Sequence, residues 1–389
     1  MNLQKQKAKE VRLSTAPREN LSQRWFEIQG TLFPHITEQV GPLTKHHEQL
    51  ISVLEFARIE DLLRCNYGLV GRPEEDRRAI FRAFIAKSVF KLATTVLLRE
   101  YLLNDPTMRR ICGFLRRRDV PSESTFSRAF GDFAAKGLLD RVHEILIEKY
   151  QSDRLIGHVS RDATAIEARE SVDPVRKETM KAQAIAKKAV QKLKRGRPKK
   201  GESRPPVPLP RLEQQLYMTV EEMLEDLPAV CDIGTKRNSK GHTDSWKGYK
   251  LHLDTADGGI PISAILTSAS VHDSQVALPL ATITTKRVTN LYDVMDSAYD
   301  SVIIRGYSRV LGHVPLIDFN KRSPKDTRAF EPHEAERYKE RSVSERMNAR
   351  LKDEFGGRMI YVRGALKIKA HLMFGIIALT VDQLIRLVQ

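Results

Sequence analysis

Four residues near the end of the chain, Tyr338, Arg341, Glu345 and Lys352, have the types and spacing for phosphate chemistry. Neither proline nor glycine interrupts residues 333–355, and their composition favours helix. At ~100° per residue the four share one narrow stripe, while Val343, Met347 and Leu351 fall on the opposite face. A glutamate flanked by cations on one face suits a metal-binding acid beside phosphate-binding bases. The same stripe also describes the exposed side of an amphipathic helix with intrahelical ion pairs. Upstream, Asp162 in SRDATAIEA and Asp296 in VMDSAYDS lie in or beside apolar strand text. A lone carboxylate there is costly unless it is paired or bound to metal. Asp293 and Asp300 compete with Asp296 for that role.

Strand-like runs must carry these aspartates. LIGHVSRDATAIEA alternates apolar and polar residues, and WKGYKLHLDTA and PISAILTSASV flank a hairpin turn at Asp257-Gly258-Gly259. NLYDVMDSAYDS and HVPLIDFNKR are two further runs, separated from the meander and from each other by helical QVALPLATITT and SVIIRGYSRVLG. Three antiparallel strands followed by alternating helices and strands predict an α/β fold. It is a ribonuclease-H-like mixed sheet flanked by helices, spanning residues 151–389.

A helical domain over residues 46–150 precedes the sheet. One long helical segment opens at Pro73 and carries Ile80, Phe84, Val89, Val96 and Leu97. Asp105-Pro106 starts another helix, and Ser122 is the expected N-cap of a third. That pair reads as a helix-turn-helix, with Arg116, Arg117, Arg118 and Arg128 placed for DNA phosphates, or as an ordinary helical hairpin with a basic turn. Residues 1–45 read as a polar arm broken by Pro17, Pro34 and Pro42. Residues 172–230 read as a basic, proline-rich insertion outside the core. Within it KRGRPKKG resembles an AT-hook, with Arg195, Arg197 and Lys199 able to enter an A·T minor groove or simply to bind phosphates.

A formal net charge of +16 on 389 residues favours a polyanionic partner. Three dispersed cysteines, Cys65, Cys112 and Cys231, form neither a disulfide framework nor a zinc site. The first residues lack the apolar run of a signal peptide. The longest uncharged apolar stretch, 370–381, is shorter than the ~20 residues of a membrane span. A soluble, cytoplasmic, nucleoid-associated protein is expected.

Tyr-x2-Arg-x3-Glu-x6-Lys is the signature around the catalytic glutamate of a large group of bacterial insertion-sequence transposases, and Tyr338, Arg341, Glu345 and Lys352 reproduce it without a gap. Asp162, followed by a small residue and Thr, and Asp296, two residues before Ala-Tyr-Asp, resemble that family's two aspartate motifs, with Ala298 where glycine is frequent. The family match favours Asp296 over Asp293 and Asp300. WKGYKLHL and SASVHDS resemble the family's second and third strands. Tyr249 and Lys250 are then either DNA contacts or a packed strand residue beside a solvated lysine, and His272-Asp273 a helix cap. The resemblance implies an Asp162–Asp296–Glu345 triad holding two Mg²⁺ ions, replaceable by Mn²⁺. Asp162 would bridge them, and Arg341 and Lys352 would hold DNA. It implies cleavage and strand transfer at terminal inverted repeats into target DNA, by a homodimer in the paired-end complex. A nuclease of the same fold, or a non-catalytic DNA-binding repressor, are the other functions such a chain could have. A long β-rich insertion before the glutamate helix, found in some relatives, is missing here.

Overall fold

Short polar side chains start most of the N-terminal helices. In the computed structural model, which describes residues 21–63, 75–172, 178, 209–237, 241–320 and 328–389, α1 (Leu21–Glu27) runs through a π turn into α2 (Phe33–Val40). Thr44 caps α3 (Lys45–Ala57), Asp76 caps α4 (Arg77–Val89) and Thr94 caps α5 (Thr95–Asn104). Asp105 caps α6 (Pro106–Cys112), and Ser122 caps α7 (Glu123–Ala135) by accepting from the Thr125 amide; α8 (Leu138–Gln151) follows. Each cap satisfies an amide that the helix leaves without a partner.

Two expectations change here. The arm is helical from Leu21, because Trp25 and Ile28 reach the main core and Pro34 sits harmlessly in the first turn of α2. The long segment is two helices. The chain turns at Lys91, whose φ is +55°, and Val96 and Leu97 emerge on the exposed side of α5.

The sheet contains β1 (Leu155–Glu167), β2 (Asp232–Arg237), β3 (Thr243–Ala256), β4 (Ile260–Ser268), β5 (Thr289–Met295) and β6 (Val314–Ile317). Its order is β2-β3-β1-β5-β6, with β4 also on β3. The β1–β3, β3–β4 and β2–β3 pairs are antiparallel, and the β1–β5 and β5–β6 pairs are parallel. This mixed sheet with its flanking helices is the expected ribonuclease-H-like arrangement. At the hairpin Gly258 and Gly259 both take φ +77°, which glycine adopts without strain. The Asp257 carboxylate there accepts from the Gly157 and His158 amides at 2.6 and 3.1 Å, fastening the start of β1. Helices α11 (Ala277–Arg287) and α12 (Val302–Val310) separate β4, β5 and β6.

The sequence reading missed β2. It also left outside the core two short helices, α9 (Arg211–Gln215) and α10 (Val220–Asp226). Met223 of α10 packs with Leu278, Met295 and Ile304, so the last part of residues 172–230 is core rather than insertion.

The C-terminal helix α15 (Ala365–Arg386) joins the two halves. Phe374 lies against Phe81, Phe84 and Phe130, with ring centroids 5.0–6.1 Å apart. On its other side Thr380 lies 3.2 Å from His143 Nε2, which also bonds the Pro261 carbonyl at the head of β4. At 22 residues this helix is long and apolar enough to cross a membrane, but 89% of its most apolar window is buried inside the protein. A helix apolar on all sides is what a shared core needs. One cluster of buried side chains therefore runs from α1 to α15, and residue 150 marks a change of secondary structure rather than a break in packing.

Candidate active site

The β1–β5 register pairs Arg161 with Met295, so Asp162 is the next residue of β1 and Asp296 the first residue past the end of β5. There the strands part. β1 continues along β3, while β5 ends and Asp296 caps a 3₁₀ turn, Ser297–Tyr299, its Oδ1 accepting from the Ala298 amide at 2.9 Å. The crevice beyond the carboxyl ends of parallel strands is where open α/β sheets build their sites. Asp293 and Asp300 are used internally. Asp293 is buried against His313 (3.2 Å) and Asn290 (3.1 Å), and Asp300 pairs with Arg305 (2.9 Å) and accepts from the Asn320 amide. Among the described residues the second oxygen of Asp296 has no such donor.

The expected glutamate helix is two helices in line, α13 (Pro332–Tyr338) and α14 (Ser342–Glu354), joined by a 3₁₀ turn at Lys339–Arg341. Val343, Met347 and Leu351 are buried, as the periodicity requires. Ser160, one pleat before Asp162 and on the same strand face, donates to the Arg341 carbonyl (3.2 Å) and lies 3.0 Å from the Ser344 hydroxyl. One turn on, Asn348 Nδ2 donates to Asp162 Oδ2 at 3.0 Å. These bonds lay α14 across β1, on the strand that carries Asp162. Glu345 is ion-paired with Arg341. Tyr338 is half-buried with its ring 4.7 Å from that of Phe330, and Lys352 is half-buried further along.

Burial pushes the Asp162 carboxyl up to about 6, and the Asp296 charge pushes the same way, while the Ala163 amide, Arg341 and Lys236 oppose them. Asp296 is raised by burial and then by Asp273. Burial works against the charge of Arg341, but Glu345, Tyr338, Asp162 and Asp296 outweigh it. Arg341 thus feels the charge of all three acids, while its ion pair is with Glu345. Among the described residues no three carboxylate, imidazole or thiolate groups close on one point at ligand distance. Glu345 takes Arg341 as its counter-ion.

Other sequence candidates have different surroundings. Lys250 is turned inward onto the Asp273 carboxylate and the Val271 carbonyl, both at 2.8 Å. Its neighbour Tyr249 is buried and bonds Glu170. Trp246 donates to the Tyr249 carbonyl at 2.9 Å, a structural role. His272 does cap the following turn, accepting from the Ser274 amide, but Asp273 serves Lys250 instead. Arg128 is exposed on α7 and donates to Thr125. The link from α6 to α7 runs through residues 113–122 with a 3₁₀ turn at Arg117–Asp119, longer than the ~3–4-residue turn of a compact helix-turn-helix. Arg195, Arg197 and Lys199 lie outside the described residues.

Sequence reasoning missed Asn348 and the buried pair beneath the site, Arg161 with Asp254. Arg161 Nε and Nη2 donate to the Asp254 carboxylate at 2.8 and 2.7 Å. The signal was present: two charges in apolar strand text, on the face opposite Asp162.

Residues 226–381 match the family described as "Transposase DDE domain", and residues 36–132 match "Transposase domain (DUF772)". Asp296 and Glu345 fall inside the first match, whereas Asp162 precedes it. No curated protein and no solved structure matches the chain. The two matches span more than half of the chain, in the order of its helical and sheet-containing parts: it belongs to the DDE transposases of insertion sequences.

Proposed function

We propose that this transposase binds the terminal inverted repeats of its element and cuts and rejoins DNA strands with Asp162, Asp296 and Glu345. The observation that carries the reading is that two burial-raised aspartates follow paired residues of β1 and β5, with Asn348 of α14 bonded to the first and Arg341, the ion-pair partner of Glu345, feeling the charge of both. The donor set fits a hard divalent cation, since it offers carboxylate oxygens and no thiolate. Two buried polar atoms near these acids, Asn348 Oδ1 and the Tyr299 hydroxyl, have no hydrogen-bond partner among the described residues. Asp162, Asp296 and Glu345 would hold two Mg²⁺ ions, or Mn²⁺ in their place. Bound there, such ions supply an activated oxygen nucleophile and compensate charge on the leaving oxygen.

The chain's own residues do the rest. Arg341 is ion-paired with Glu345 and feels the charge of Asp162 and Asp296, so releasing it from Glu345 would free a guanidinium for a phosphate oxygen. Lys352 lies about three turns beyond Arg341 along the same stripe and would fix a further phosphate. Tyr338, anchored on Phe330, fixes the start of that stripe. A homodimer would hold two ends together. The helical region of residues 46–150, with Arg128 on its free surface, would position the repeat.

A gel assay with labelled DNA from both flanks of the gene, Mg²⁺ and the full chain tests this. Joined products are expected. Cutting without joining would make the protein a nuclease, and binding alone would overturn the catalytic reading. For the AT-hook-like segment, Arg197→Ala is expected to weaken binding several-fold on A·T-rich DNA and little on G·C-rich DNA. Equal loss on both, by mobility shift at one salt concentration, would reduce Arg197 to a phosphate contact.

A further inference from the structure

Asn348 is 5% exposed, buried between the catalytic helix and β1, and the mechanism above gives it no task. We propose that it is the positioning residue for Asp162, fixing which carboxylate oxygen is left to a divalent cation. This deepens the reading of the site and rests on it.

An aspartate carboxyl rotates in a broad, roughly two-fold well, so a strand alone does not fix its oxygens. The Nδ2 donor at 3.0 Å claims Oδ2 of Asp162, so a side chain of α14 sets how the carboxyl is turned. An amide suits the task better than a cation would, because it orients the carboxylate without neutralising it. Asn348 lies three residues after Glu345, so one turn of α14 carries both an acid of the proposed triad and the donor that sets another. The Ser160–Ser344 contact pins the preceding turn to the same strand. Movement of α14 therefore carries Glu345 and the Asp162 oxygens together. The Asn348 Oδ1 acceptor is buried and has no hydrogen-bond partner among the described residues. A hydrated Mg²⁺, which keeps several waters, offers the donors that oxygen lacks.

The test is Mn²⁺ binding to the full chain without DNA, read from the free-Mn²⁺ electron paramagnetic resonance signal, with melting temperature recorded alongside. Asn348→Leu removes both polar atoms at similar volume, and Asn348→Ala covers the case in which leucine packs poorly. Both are expected to weaken Mn²⁺ binding about 10-fold with the chain still folded. Asn348→Gln, which keeps a donor on a longer arm, is expected to recover part of the loss. Asp162→Ala is the control and is expected to weaken binding further. Affinities of both Asn348 variants within twofold of wild type, while Asp162→Ala loses binding, would overturn the positioning role alone. Unchanged binding in Asp162→Ala would remove the metal reading of Asp162, and this inference with it.

Discussion

Replacing Asp162 with asparagine is expected to abolish strand cleavage while raising the melting temperature of the metal-free protein at pH 8. The substitution keeps the shape and an oxygen able to accept from Asn348 Nδ2. It removes the charge that a divalent cation needs, so the cleavage rate should fall roughly 10³-fold or more, with end binding kept. Asp296→Ala and Glu345→Ala are expected to share that loss. The stability gain follows from burial. The Asp162 carboxyl sits at about 6 in the folded protein, against about 3.9 in an unfolded chain. The folded state therefore binds its proton more tightly. Stability from this group is complete below pH ~4 and is lost as pH rises through ~6. Asparagine has no charge to bury. After a discount for partial exposure it should recover about 1–2 kcal/mol above pH 6, or a few degrees. Melting curves between pH 4 and 8 without metal check this: the variant's advantage should vanish at pH 4. Added Mg²⁺ should stabilise the wild type and not the variant. Retained cleavage would take Asp162 out of the triad, and a pH-independent difference in melting would refute burial as the cause.

What was legible in the sequence was local. The Asp105 and Ser122 caps, the Asp257-Gly258-Gly259 turn and the buried Val343, Met347 and Leu351 face each depend on side chains within a few residues, and each appears where periodicity and turn chemistry put it. The Tyr338–Lys352 stripe was visible too, but a stripe does not say what it faces. That Arg341 feels the charge of Asp162 depends on α14 crossing β1, a contact more than 180 residues away in sequence. Lys250 shows the limit more sharply. Its charge marked it for DNA, yet its partner Asp273 stands across the β3–β4 hairpin and holds it inside. The two-helix course of residues 77–104 turns on a single positive φ at Lys91, a residue type that gives no warning. The strand β2 is short and polar, and only its pairing with β3 makes it a strand. The role of α15 as a core shared by both halves cannot be read from a composition that also fits a membrane span.

Arg161→Met is expected to cost about 3–5 kcal/mol of stability, the largest effect on folding of any single change considered. Arg161 is 2% exposed and its partner Asp254 is fully buried. The fork of two bonds, at 2.8 and 2.7 Å, is completed by Thr284 donating to Asp254 at 2.6 Å. Methionine fills most of the space but leaves an ionised carboxylate in the core with one hydroxyl for company. Converting both residues, Arg161→Met with Asp254→Leu, removes that orphan, and most of the stability should return. Urea denaturation of the wild type, both single variants and the double variant closes the cycle. A loss below 1 kcal/mol for Arg161→Met would show the pair to be dispensable. Directionality explains why a sheet keeps so costly a pair. Arg161 and Asp254 stand directly opposite in the β1–β3 register, and Arg161 also reaches Met295 of β5 at 3.4 Å. A slip by one residue would set Leu253 or Thr255 against the guanidinium and turn Asp162 to the other face of the sheet. Apolar side chains would tolerate such a slip far better. The double variant should therefore recover its stability but cleave DNA more slowly than wild type, and equal cleavage rates would show that hydrophobic packing alone holds Asp162 and Asp296 in register.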